Sequence, residues 1–168
     1  MVTHVRTVTY EDVPTVMELI TLILNEFGLS FGAGSETDEA VRGLPDSYAA
    51  IGGAFWVAEL GGRIVGTAGV APLADTPSTF ELRKMYLHGS ARGTGLGSRL
   101  YGEALGFAKA RGARRLVLDT THEMLDAIRF YERKGFVRDD TQIRGRRCSR
   151  GYVLELSATE RALGAREK

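Results

Sequence analysis

A chain of 168 residues, 43% hydrophobic and 26% charged, is long enough to bury one core unaided and too apolar to stay disordered. No apolar run approaches the ~20 residues that cross a bilayer as a helix. The stretch behind Met1–Arg6 lacks the apolar region of a signal peptide, and the single cysteine, Cys148, excludes an internal disulfide or a cysteine-based zinc site. The expectation is a reduced, cytoplasmic protein with one domain over residues 1–168.

The net charge of +1 conceals an asymmetry: residues 1–82 sum to −8 and residues 83–168 to +9. Two poles, one favouring a cation and one an anion, are one reading; charges that interleave on folding are the other. The near-neutral whole, without aromatic–basic interleaving, points away from nucleic acid as a partner.

In chain order, Val5–Val8 reads as a strand. Glu11-Asp12-Val13-Pro14 opens a helix with Pro14 in its first turn, where a missing N–H costs little, and Val16, Leu19, Ile20 and Ile23 form its apolar stripe. Phe27–Gly34 is a glycine-punctuated loop. Ser35-x-x-Asp38 then starts a short helix that ends near Gly43 or Pro45. A hairpin follows: Phe55–Glu59, a Gly61-Gly62 turn, and Arg63–Ala71, whose Ile64–Val70 core lacks polar alternation and so expects burial on both faces. Thr79–Leu87 is a further strand. Leu96–Arg111 is a helix stopped by Gly112, Arg115–Asp119 a strand, Met124–Lys134 a helix stopped by Gly135, and Tyr152–Leu156 a last strand, with Phe136–Arg138 an uncertain one. This order predicts a mixed α/β sheet with helices on both faces.

The Thr79–Leu87 strand changes phase. Its apolar residues are even-numbered at Phe80 and Leu82 and odd-numbered at Met85 and Leu87. Side chains alternate strictly along a regular strand, so the switch predicts a β-bulge near Arg83-Lys84. Directly afterwards Arg92-Gly93-Thr94-Gly95-Leu96-Gly97-Ser98 leads into a helix. Such a junction suits an anion, because unpaired N–H groups and the positive end of the helix dipole face outward. A P-loop is excluded by the absence of a following Lys-Ser or Lys-Thr pair, and the dinucleotide fingerprint by Ser98 in place of its last glycine. The pattern that remains is R-x-x-G-x-G, through Arg92, Gly95 and Gly97.

Glu81-Leu82-Arg83-Lys84-Met85-Tyr86-Leu87 with Arg92–Gly97, together with Ala127-Ile128-Arg129-Phe130-Tyr131-Glu132-Arg133-Lys134-Gly135-Phe136, resembles the GNAT superfamily of acetyl-CoA-dependent N-acetyltransferases, and most closely its bacterial members taken to act on small amines or amino acids. The resemblance spans Val5 to about Leu156. It implies a mostly antiparallel sheet with a splayed central strand pair. It also implies that the pyrophosphate of acetyl-CoA lies on Arg92, Gly93, Thr94, Gly95, Leu96, Gly97 and Ser98. Pantetheine would run between the strands ending at Leu87 and Asp119 and pair with the backbone around Met85, Tyr86 and Leu87.

Acetyl transfer needs a neutral amine. For a lysine-like amine of pKa ~10.4, deprotonation at pH 7 costs about 4–5 kcal/mol; for an α-amine of pKa ~7.7–8.0 it costs only about 1 kcal/mol. The resemblance assigns the general base to Glu81, eleven residues before Arg92. A solvated carboxylate is a poor base, so that role expects burial beside Phe80 and Leu82; a surface glutamate balancing Arg83 or Lys84 is the alternative. Met124, Ala127, Ile128 and Tyr131 share one helix face, a core pattern by itself. By family position Tyr131 is the proton donor to the leaving thiolate, while Met124 stands where family members often carry asparagine and cannot hydrogen-bond in that way. The amides near Tyr86–Leu87 would steady the oxyanion.

His4, His88 and His122 lack ligand spacing, so no metal is expected. Arg144, Arg146, Arg147 and Arg150, near Cys148, read as a solvated loop. The resemblance places that region at the border of the acceptor pocket, which leaves an anionic group on the substrate open. Across it, Glu26, Glu36, Asp38 and Glu39 are candidates to attract a cationic amine. Transfer of acetyl to a primary amine is thus the expected activity. A non-catalytic acyl-CoA-binding module and an acetyltransferase acting on a protein amine are the alternatives, and the oligomeric state is open, a homodimer included.

Overall fold

Seven strands hydrogen-bond in the order β1-β2-β3-β4-β5-β7-β6 in the structure, a computed structural model that describes residues 1–32 and 35–156. The elements are β1 (Thr3–Thr7), α1 (Val13–Glu26), α2 (Glu36–Arg42), α3 (Asp46–Ala49), β2 (Ala54–Leu60), β3 (Arg63–Pro72), β4 (Thr79–Leu87), α4 (Leu96–Ala110), β5 (Arg115–Thr120), α5 (Leu125–Arg133), β6 (Val137–Arg138) and β7 (Arg150–Glu155). The end of the loop expected over Phe27–Gly34 and the residues beyond 156 lie outside the described residues.

The chain divides into two units. The first comprises Met1–Ala71 and Leu82–Phe107. Within it β1, β2 and β3 form an antiparallel meander, closed by the expected Gly61-Gly62 turn between Leu60 and Arg63. β3 is buried continuously from Val65 to Ala71, as its unbroken apolar run requires. Helix α1 begins just after a 3-10 turn at Tyr10–Asp12, has proline in its first turn, and buries Val16, Leu19, Ile20, Ile23 and Leu24. Ser35 caps α2 as its spacing foretold, its hydroxyl accepting from the Asp38 amide at 3.3 Å. The four-residue α3 was not anticipated, because one helical turn is too short to show a period. It places Tyr48 edge-on to Phe55, with ring centroids 5.3 Å apart.

An ion-pair network ties the start of this unit together. The Arg6 guanidinium donates to both Asp12 oxygens at 2.7 and 2.9 Å and to Glu59 Oε1 at 2.9 Å, while Asp12 also accepts from the Thr9 amide at 2.8 Å. Hydrogen bonding from Arg6, with help from Thr9 and against the cost of burial, lowers the Asp12 carboxyl from 3.8 to about 2. A folded-state value below the unfolded one stabilises the protein above the unfolded value, and that stability is lost as pH falls towards 2. Between pH 5 and pH 2 the native chain is therefore expected to lose about 2 kcal/mol more stability than Asp12→Asn, as urea melts at stepped pH would measure. Equal losses in the two proteins would show that Asp12 is not the linked group.

The second unit comprises Pro72–Glu81 and the chain from Ala108 onward. Here Thr79–Glu81 of β4 pair in parallel with Arg115–Val117 of β5, and the ladder ends at Glu81↔Val117 although β4 runs on to Leu87 and β5 to Thr120. This is the splay that the resemblance implied. β5 continues against antiparallel β7 as far as Thr120↔Arg150, and the two-residue β6 covers the outer edge of β7. The last strand thus begins two residues before Tyr152, at Arg150. α5 buries Ile128 and Tyr131, and with Leu116, Val117, Leu118, Phe136 and Tyr152 these residues make the core of this unit.

Candidate active site

The expected break in β4 falls at Lys84, which takes φ +52° in the middle of the strand. A residue in the left-handed region interrupts alternation, which accounts for the phase change between Leu82 and Met85. The kink is fastened twice. The Thr67 hydroxyl donates to the Lys84 carbonyl at 2.7 Å, and the Lys84 ammonium pairs with Asp38 of α2. Beyond the kink, Met85, Tyr86 and Leu87 are half-buried. They lie close to β3 because position 66 is glycine: a Cβ there would sit 2.8 Å from Leu87 Cδ1, 3.0 Å from Leu100 Cδ1 and 3.2 Å from the Tyr86 carbonyl oxygen.

The turn after β4 presents its glycines outward. Gly93 and Gly95 have φ of +78° and +85°, and a Cβ at either would meet nothing within 4 Å. The Thr94 amide and hydroxyl both donate to the Ala91 carbonyl, which folds the loop back and leaves its remaining amides turned away. Among the described residues, no acceptor takes the amides of Gly93, Gly95, Gly97 or Ser98. They stand at the N-terminus of a 15-residue helix, and the donor set therefore fits a diphosphate. Arg92 is aimed alongside, its Nε donating to the Leu87 carbonyl at 3.2 Å and its Nη2 to Glu26 at 3.1 Å.

In the second unit Glu81 is 4% exposed, as a base beside Phe80 and Leu82 was expected to be. Its companion is Arg144, which remains exposed as expected of a solvated loop yet reaches the carboxylate. Arg144 brings Nε to 3.6 Å from Glu81 Oε2, an ion pair longer than a hydrogen bond, and Nη1 to 3.8 Å from Asp75. Both amides of the Arg144-Gly145 pair donate to Asp119 Oδ2, at 2.6 and 2.7 Å, so the loop is anchored to the end of β5. The spacing of 63 residues between Glu81 and Arg144 carries no sequence signal.

Tyr131 is 6% exposed, its ring edge-on to Phe136 at 5.7 Å and to Phe130 at 5.7 Å. Met124 precedes the helix as its N-cap rather than opening it, is buried, and has its sulfur 4.0 Å from the Thr120 hydroxyl. Three of the four acids expected to attract an amine are paired with basic groups, Glu39 with Arg42 on the same helix at 3.4 Å. Asp38 is wholly buried, pairing with Lys84 and accepting from the Gly32 amide at 2.8 Å, and Glu26 is held by Arg92. Burial withdraws Asp38 from any substrate, and for Asp38 and Glu26 the partner is a basic group distant in sequence. Among the described residues no His, Cys, Asp and Glu side chains cluster as metal ligands would, and no helix is long and apolar enough to cross a membrane.

Comparison with known proteins identifies the family and the fold. Residues 20–136 match the acetyltransferase (GNAT) family. The chain is 36% identical over 133 residues to the Escherichia coli N-acetyltransferase YjgM, covering 78% of this chain and 80% of that one. Its fold is similar to that of a GNAT-family acetyltransferase from Staphylococcus aureus Mu50, with a TM-score of 0.84 at 21% identity over 93% of this chain and all of the other. It is also similar to yncA of Salmonella typhimurium, solved with its cofactor acetyl-CoA, with a TM-score of 0.73 at 17% identity over 94% and 95% of the two chains. The chain belongs to the GNAT family and is an acyltransferase of the acetyl-CoA-dependent class.

Proposed function

We propose that this protein transfers acetyl from acetyl-CoA to a primary amine, on a small molecule or an amino acid, by direct attack in a ternary complex. The reading treats residues 1–168 as one acetyltransferase domain working in the cytoplasm. The observation that carries it is Glu81, a carboxylate kept at 4% exposure where the β4–β5 ladder ends. Bound acetyl-CoA supplies an activated acetyl as a thioester. The amides of Gly93, Gly95, Gly97 and Ser98, with Arg92, hold its diphosphate, each charge-assisted bond contributing on the order of 1.5–3 kcal/mol. The backbone around Met85, Tyr86 and Leu87 aligns the pantetheine arm and steadies the oxyanion. Glu81, directly or through one water, takes the proton from the acceptor ammonium. The freed nitrogen forms the new C–N bond, the C–S bond breaks, and Tyr131 gives its phenolic proton to the leaving sulfur; the nitrogen's second proton passes through water to the tyrosinate, and the first leaves Glu81 for solvent. N-acetylated amine and free CoA result.

Thiol release from acetyl-CoA, measured against alkylamines, polyamines and free α-amino acids, tests the reading, with acetyl-CoA binding followed in parallel by calorimetry. Release that depends on one or more of these amines is the expected result. Heat of binding without amine-dependent release would instead favour a non-catalytic acyl-CoA-binding module. No heat at all would remove the cofactor assignment.

A further inference from the structure

We propose that Arg144 is a positioning residue for the Glu81 base, held at its station by Asp119; the inference rests on the assignment of Glu81 as that base. A carboxylate shielded to this degree is costly to keep ionised unless a cation lies close, and Arg144 Nε is 3.6 Å from Oε2. The guanidinium is permanently charged, so at this distance it favours the ionised carboxylate and draws its Oε2 edge towards Arg144 by charge.

Two features set this pair apart from a chance surface contact. Arg144 does not hang from a free loop, because Asp119 Oδ2 accepts from its own amide at 2.6 Å and from that of Gly145 at 2.7 Å. Asp119 is itself placed by the β5–β7 ladder, opposite Gly151, so the backbone from which the Arg144 side chain reaches towards Glu81 is fixed by a strand. The second feature is Asp75, 3.8 Å from Nη1 on the far side of the guanidinium and largely exposed. When Glu81 takes a proton from the acceptor and loses its charge, Asp75 remains as counter-ion, and the arginine keeps a partner through the proton transfer. Further along β4, the Lys84 ammonium is committed to Asp38. Arg144 is 39% exposed at its side chain, so replacing it opens no core cavity.

The test is a double-mutant cycle on the fastest amine of the panel, with Arg144→Gln, Arg144→Lys, Glu81→Gln and the Arg144→Gln/Glu81→Gln double variant. Arg144→Gln is expected to lower kcat by about tenfold to a hundredfold, with KM for acetyl-CoA unchanged, because a misplaced base loses proximity rather than cofactor affinity. Arg144→Lys, which keeps the charge, recovers most of that loss. In the Glu81→Gln background, removing Arg144 changes kcat by less than about twofold, since there is no base left to position. Full additivity of the two losses would overturn the inference and leave the base assignment standing. So would a rise in KM for the amine at constant kcat, which would make Arg144 an acceptor-binding residue. Undiminished turnover of Glu81→Gln on its own would remove the base assignment and this inference with it.

Discussion

Glu81→Gln is expected to lower turnover by about 10²–10⁴-fold, the range general-base catalysis contributes, while calorimetry finds acetyl-CoA affinity unchanged within about twofold. The substitution retains shape and removes the proton acceptor. It also exchanges a charged neighbour of Arg144 for a neutral one, and Asp75 at 3.8 Å remains to balance the guanidinium. The cofactor groups proposed above, Met85–Leu87 and Arg92–Ser98, follow in the chain and none is altered. The loss should be graded by substrate. An ε-amine of pKa ~10.4 needs about 4–5 kcal/mol of deprotonation at pH 7 and an α-amine only about 1 kcal/mol, so the α-amine reaction should suffer less. Raising the assay pH towards 9 supplies more neutral amine without help from the protein, and the deficit should narrow. A Gln variant with native rates on every accepted amine from pH 6 to 9 would remove Glu81 from the chemistry.

Lys84→Met is expected to destabilise the fold by about 3–5 kcal/mol, read as a shift of the urea midpoint at unchanged slope. Side-chain exposure is 4% at Lys84 and 0% at Asp38. Removing the ammonium alone leaves a carboxylate in the interior, and neutral donors such as the Gly32 amide at 2.8 Å are poor compensation for a full charge. The paired replacement Lys84→Met with Asp38→Asn should recover most of the loss, because the interior charge is gone and a side-chain oxygen of the same size still accepts from the Gly32 amide. A double variant no more stable than Lys84→Met would mean that packing around the kink, rather than the stranded charge, carries the effect. The pair also bears on the cofactor: Lys84 immediately precedes Met85, and its φ of +52° sets the direction in which the strand leaves the kink.

Much of the site was legible because it is written locally. The loop at Arg92–Ser98 and the helix after it depend on residues within a few positions of each other, and the glycine spacing survives folding unchanged. The kink was legible for the same reason: alternation of side chains is a property of one strand, and the shift from Leu82 to Met85 records it without reference to any neighbour. Continuous burial of β3 followed from its uninterrupted apolar run. The helix at Leu125–Arg133 was placed within a residue at each end, because its periodic face and Gly135 mark it in the chain itself.

Sequence by itself therefore determined the class of sheet, the glycine loop, the break in β4 and the two residues proposed for proton transfer. Tertiary structure alone decided that Asp38 turns inward to Lys84 instead of facing a substrate, that Glu26 is held by Arg92, and that the exposed Arg144 comes within an ion pair of Glu81. The physical reason is the nature of the interactions. Backbone geometry and apolar periodicity are fixed by neighbours in the chain, whereas a charge takes whichever opposite charge the fold brings near, and the attraction leaves no spacing rule behind in the sequence.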